Sequence, residues 1–155
     1  MPYWRLFYHF TWATKDRMLS IEPDWEAELH RVIAAKAQAL GAIVYAVGGM
    51  EEHVHLAASV PPQLALSEFA GQIKGNSAHL VNHVKAPEAQ FNWQKGYGVV
   101  SFGEKNLDTV IQYIKRQREH HDAMTLIPFL ERDESDDANA QGQESPGLKP
   151  QGADA

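Results

Sequence analysis

AIVYAVGGMEEHVHLAASV, residues 42–60, is the stretch on which the fold turns. Ala42–Val47 and His53–Val60 are short, apolar and partly β-branched, and GGMEE between them carries paired glycines. Two strands joined by a hairpin turn is the reading this pattern supports. Upstream, Ser20–Gly41 has Pro23 near its start, then Trp25, Leu29, Val32, Ile33 and Leu40 at helical spacing, with Gly41 as a stop. Before it, Tyr3–Thr14 is aromatic and β-branched, a strand. Downstream of Pro61-Pro62, the positions Leu66, Phe69, Ile73, Leu80, Val81 and Val84 mark a second helix. Phe91–Phe102 is a fourth strand region with a GYG kink. From Glu104 to about His121 the chain reads as a last helix with Leu107, Val110, Ile111 and Ile114 turned inward. The order β-α-β-β-α-β-α is the split βαβ of an α+β, ferredoxin-like antiparallel sheet with one added C-terminal helix. That fold hosts many functions and selects none.

At 155 residues the chain is long enough to bury one core. It divides into a body, 1–125, and an acidic tail, 126–155, whose Asp, Gln, Gly and Pro content predicts disorder. Seven acidic residues against Arg132 and Lys149 place −5 of the net −6 in residues 131–155, so the body is near neutral and open to a local basic patch. Cysteine is absent, which excludes disulfides, thiolate metal sites and cysteine nucleophiles. The start has no secretory pattern, and no apolar run approaches the roughly 18–20 residues of a membrane span. A cytoplasmic protein without a membrane partner is expected.

His53 and His55 are the first candidate site. Eight histidines in 155 residues give about 0.4 H-x-H pairs by chance, so the pair alone says little. Strand alternation nevertheless puts both imidazoles on one face, with Val54 and Leu56 on the other, where two rings can ligate one ion. The last helix supplies a second set. Asn106, Tyr113, Gln117 and His120 form a polar stripe, and Tyr113 and Gln117, at i and i+4, can aim at one spot. Lys115, Arg116 and Arg118 surround them with cations. A tyrosine in such a place is ordinarily a core-edge residue. Its phenol, with a reference pKa of about 10, attacks at neutral pH only with cationic or metal help. Taken together, a divalent ion on His53, His55 and an oxygen such as that of Gln117 would leave room for a phosphate oxygen and act as a Lewis acid. Tyr113 would attack phosphorus and keep the bond energy in a phosphotyrosine. Imidazole, amide and water ligands suit Mg²⁺ or Mn²⁺.

Five segments in order carry a family resemblance: YWRLFYHFTWATKDR, GGMEEHVHLAASV, IKGNSAHLVN, FNWQKGYGVVS and VIQYIKRQREHH. Over residues 3–121 the chain resembles the single-tyrosine HUH transposases of the insertion sequence 200-like group and their REP-associated relatives. The resemblance implies His53 and His55 as metal ligands, Gln117 as the third protein ligand and Tyr113 as nucleophile. It also implies a homodimer in which the tyrosine helix of one subunit can complete the other's site. The substrate it implies is single-stranded DNA, cleaved and rejoined near hairpins at the element's ends. Glu51-Glu52 departs from the family's pattern before the first histidine.

Lys74 and Asn76 in the second helix, Lys95 beside the GYG kink, and Arg116 and Arg118 are the candidate DNA contacts. Gly75 within that helix costs about 1 kcal/mol relative to Ala, which either phosphate approach or tight helix–sheet packing would justify. Trp12, Trp93 and Tyr97 can stack bases, though core packing is the usual fate of such rings. Two other readings compete. A domesticated, non-catalytic hairpin-binding protein would keep the fold but has no need of all four site residues. An H-x-H-x-H nucleotide hydrolase would require histidine at position 57, which is Ala57.

Overall fold

The computed structural model describes residues 3–85, 90–117 and 126–133. Its strands are β1 (Tyr8–Ala13), β2 (Ile43–Met50), β3 (His53–Ser59) and β4 (Gly98–Ser101). Its helices are α1 (Pro23–Ala39), α2 (Leu66–Leu80), α3 (Leu107–Lys115) and a single turn, α4 (Pro128–Glu131). The sheet order is β2-β3-β1-β4, with every pairing antiparallel. This is the expected ferredoxin-like α+β arrangement. Among the described residues no helix is long and apolar enough to cross a membrane.

Alternation along β1 and β3 separates two layers. Phe10 and Trp12 of β1, with Val54, Leu56 and Ala58 of β3, face α1 and α2. There they meet Trp25, Leu29, Ile33 and Ala37 of α1, spaced four apart, and Phe69, Ala70 and Ile73 of α2. The other face carries His9, Thr11, His53, His55 and Ala57, all buried. On that side Ala57 and Ala46 pack with Val110 and Ile114 of α3.

Several element limits differ from the sequence reading. Pairing of β1 begins at Tyr8, and Tyr3 is 85% exposed. The glycines of GGMEE belong to β2 rather than to the turn, which is only Glu51-Glu52. Gly48 is required by close packing: a Cβ there would overlap the Ile114 carbonyl oxygen of α3. β4 is confined to four residues, and Trp93 makes only an isolated bridge with Thr14. After α2 a π-helical turn, Val81–Lys85, swings Val84 outward to 60% exposure. Gly41 does end α1, at φ +96°. The last helix begins with a 3₁₀ turn, Glu104–Asn106, and its expected end, at 118–121, lies outside the described residues.

Residues 126–133, assigned above to the tail, fold back onto the sheet. Leu130 is buried, and Gly98 of β4 leaves the space its missing Cβ would fill to the Arg132 carbonyl. Residues 134–155 lie outside the described residues.

Candidate active site

The histidine face of β3 lies under α3, and the two bring the predicted residues into one buried cluster. His53, His55, Tyr113 and Gln117 are all at most 2% exposed. The tautomer of His55 follows from its neighbours. Thr11 Oγ1 donates its single hydrogen to the Leu130 carbonyl at 2.9 Å, so it can only accept from His55 Nδ1, 3.0 Å away. His9 Nε2, 2.8 Å from the same atom, is a second acceptor. Burial, then the neighbouring His55, holds His9 well below the ordinary imidazole range and therefore neutral. His55 thus carries its proton on Nδ1 and turns the Nε2 lone pair into the site.

His53 is oriented in the same sense. Glu52 Oε1 lies 3.2 Å from its Nδ1, a carboxylate–imidazole pairing of the kind that aligns metal-ligating histidines. Burial raises the Glu52 carboxyl, but the bond to His53 and the charges of His53 and Arg17 outweigh it and bring it to about 2. Glu52 is therefore built into the site. His53 Nε2 faces Gln117 Oε1 at 3.1 Å. Gln117 Nε2 donates to Glu131 Oε2 at 3.3 Å, which fixes the amide with its oxygen toward the imidazole.

Glu131, from α4, was not foreseen. It accepts the Tyr113 hydroxyl hydrogen, while the Ile127 amide donates to the same phenol oxygen at 3.0 Å. Burial, then the Glu131 contact, pushes the phenol up to about 12. Burial would raise Glu131 too, but His55, where it carries a second proton, and the Tyr113 hydroxyl hold it at about 2. Tyr113 is thus kept protonated in this arrangement. Its ring stands edge-on to His55, centroids 6.0 Å apart, within the same chain. The signals for this third layer were slight: the apolar run LIPFL, 126–130, ahead of the acidic residues, and the alternation of His9 and Thr11 with Phe10 and Trp12.

The Nε2 atoms of His53 and His55 and the oxygens of Gln117 and Glu131 converge on one spot. The donor set fits a divalent cation: two imidazoles with their far nitrogens fixed by the protein, plus hard oxygens. A groove of about 320 Å³ lined by Asp108, Thr109, Gln112, Arg116 and Ile127 reaches Tyr113.

The candidate DNA contacts scatter by comparison. Arg116 is exposed on the rim of that groove. Lys74 Nζ is engaged internally, donating to the Gln94 and Gly96 carbonyls at 2.7 and 2.6 Å, and so tethers the loop that carries Lys95. Lys95 and Asn76 are exposed, while Arg118 lies outside the described residues. α2, with Lys74 and Asn76, covers the opposite face of the sheet from the histidines. Tight packing does not explain Gly75, because a Cβ there would meet nothing within 4 Å. Trp12 is wholly buried, and Trp93 packs edge-on against it and donates to Ser77 Oγ at 2.9 Å.

Comparison with known proteins places this chain in a family. The family described as "Transposase IS200 like" matches residues 2–117. The chain is 25% identical over 122 residues to the transposase for insertion sequence element IS200 of Salmonella typhimurium, covering 75% of this chain and 79% of the relative. It is 26% identical over 121 residues to the ISDra2 transposase TnpA of Deinococcus radiodurans, covering 75% and 86%. A candidate transposase of Deinococcus radiodurans solved by crystallography superposes with TM-score 0.59 at 28% identity, covering 76% and 95%. A REP-associated tyrosine transposase, solved bound to a REP hairpin, shares the fold with TM-score 0.58 at 17% identity, covering 78% and 74%. Tyr113, Gln117 and both site histidines fall within the matched span, and Glu131 falls beyond it. The chain belongs to the IS200-like transposase family.

Proposed function

We propose that this transposase cleaves and rejoins single-stranded DNA through a 5′-phosphotyrosine on Tyr113. The observation that carries the reading is the convergence of Tyr113, His53, His55 and Gln117 in one buried cluster, from two elements distant in sequence. The substrate is a DNA hairpin with a single-stranded flank, in keeping with the hairpin bound by the REP-associated relative.

The chain's own residues divide the work. Tyr113 Oη forms a bond to phosphorus as the P–O3′ bond breaks, releasing a 3′-hydroxyl; attack by a 3′-hydroxyl on the phosphotyrosine reverses the step and joins strands. Before attack the phenol must lose both its proton and its bond to Glu131, since the latter raises its pKa. His53, His55 and Gln117 would hold Mg²⁺ or Mn²⁺, which supplies charge neutralisation on the phosphate when bound. Thr11, His9 and Glu52 keep the imidazoles aimed. Arg116 at the groove rim is the favoured phosphate contact, with Asn76 and Lys95 as outlying ones. A homodimer is proposed as the working form, each Tyr113 serving the histidines of its own chain.

A labelled hairpin oligonucleotide incubated with Mg²⁺ or Mn²⁺ tests this. Wild type should form a covalent DNA–protein adduct, and Tyr113→Phe should form none. An adduct with Tyr113→Phe refutes the nucleophile, and hairpin binding without cleavage by wild type supports the non-catalytic alternative instead.

A further inference from the structure

We propose that Glu131 is a protein ligand of the divalent ion, so that ion binding and docking of the C-terminal strap, residues 126–133, are a single coupled event. The inference rests on the reading of His53 and His55 as metal ligands. It concerns a residue outside the family match.

Distances come first. Glu131 Oε1 is 3.6 Å from His53 Nε2, and Oε2 is 3.4 Å from His55 Nε2. Both are long for hydrogen bonds, which cluster near 2.7–3.2 Å. The second falls within, and the first a little beyond, the spacing of two donors sharing one ion, since bonds of about 2.1 Å put neighbouring donor atoms roughly 3.0–3.4 Å apart. One donor atom from each of His53, His55 and Glu131 lies within 4.8 Å of the others. The carboxylate bridges both imidazoles, one oxygen toward each.

Charge and tautomer point the same way. His55 presents a lone pair because its proton is committed to Thr11 and His9. Near the two Nε2 atoms, among the described residues, stand the Gln117 amide oxygen and both oxygens of Glu131. These are hard oxygen donors of the kind a divalent cation takes. Glu131 would give a divalent ion the anionic ligand that two imidazoles and an amide lack.

The strap is also built to deliver it. Leu130 is buried, and its carbonyl accepts the Thr11 hydrogen that fixes the His55 tautomer. Asp133, 1% exposed, pairs with Arg17 at 2.7 Å, and Arg17 also reaches Glu52, the partner of His53, at 3.5 Å. The Ile127 amide is held by Tyr113. Glu131 is therefore anchored on both sides, and the strap supplies both a ligand and a support for a second ligand. An ion that binds only the docked form stabilises that form in proportion to its concentration over Kd. Drawing Glu131 onto the ion would also loosen its hold on the Tyr113 hydroxyl.

The test uses the full chain and Mn²⁺ alone, with affinity measured by isothermal titration and by the Mn²⁺ paramagnetic resonance signal. Hydrogen exchange of residues 126–133 is followed with and without the ion. Wild type should bind one Mn²⁺ and show slowed exchange in the strap. Glu131→Gln, nearly isosteric, should bind about 10–100-fold more weakly and lose the ion-dependent protection. Wild-type affinity in Glu131→Gln, with binding lost in His53→Ala, overturns the proposal while sparing the histidine site. Unchanged Mn²⁺ binding in both His53→Ala and His55→Ala would remove the metal reading itself.

Discussion

The two faces of β3 are made from alternate residues of one seven-residue strand and obey different rules. Val54, Leu56 and Ala58 are wholly buried against α1 and α2, where shape and apolar area matter. His53 and His55 are as deeply buried, yet their ring nitrogens face polar groups from β1, the Glu51-Glu52 turn, Gln117 just past α3, and the strap. A buried polar group costs stability unless it is paired, so the second face exists only because four separate segments supply partners. Stability is concentrated on one face of the strand and chemistry on the other.

The comparison breaks most sharply if neighbouring positions on β3 are exchanged for alanine. His55→Ala should lower adduct formation by at least about 10²–10³-fold with little loss of stability. Leu56→Ala should do the reverse, costing about 2–5 kcal/mol in denaturant unfolding while the folded fraction retains its activity. If both variants lose stability equally, the division of labour is wrong.

Glu52→Gln sharpens the polar face. The side chain keeps its size but not its charge, so Mn²⁺ affinity should fall about 10–100-fold with the fold intact by circular dichroism. Unchanged affinity would reduce Glu52 to a surface residue that happens to lie near His53.

A further effect, set on α1 away from the site, is in acid. His30 on α1 is held by burial at about 4, below the ordinary imidazole value of 6.5, so the folded protein binds its proton less readily than the unfolded chain. Its contribution is full above pH 6.5 and fades as pH falls toward 4, by up to about 3 kcal/mol. Glu52 and Glu131, both lowered to about 2, hold their contribution down to roughly 4.5 and lose it only below that. His30→Leu should therefore make the loss of stability between pH 6.5 and 4 shallower and leave the part due to His9, read from melting temperature across the range. An unchanged slope would place the acid sensitivity elsewhere.

Local periodicity made much of this legible in the sequence. Alternation placed His53 and His55 on one face, and the i, i+4 relation aligned Tyr113 with Gln117. It also gave the strand and helix order, because each amphipathic segment states its own period. Contacts made by folding the chain back on itself were not legible. Gly48 looks like a turn glycine until Ile114 is seen against it. Lys74 looks like a phosphate ligand until its ammonium is found on two backbone carbonyls. Glu131 sits at the head of a run of acidic residues whose composition describes a solvated tail, and nothing within a few positions of it hints at two imidazoles. Composition sees the average of a segment, whereas a site depends on one residue of it.

The hydrogen bond from Thr11 to the Leu130 carbonyl joins positions 119 apart in sequence. Its formation requires nearly the whole described chain to be present and in place. On the reading proposed for Glu131, a chain still lacking its last described turn has a pair of imidazoles but neither the carboxylate nor the carbonyl that sets one of their protons. On that reading, the ligands of the ion are complete only once the strap has docked, and a contact made by the last described turn governs a histidine near the middle of the chain.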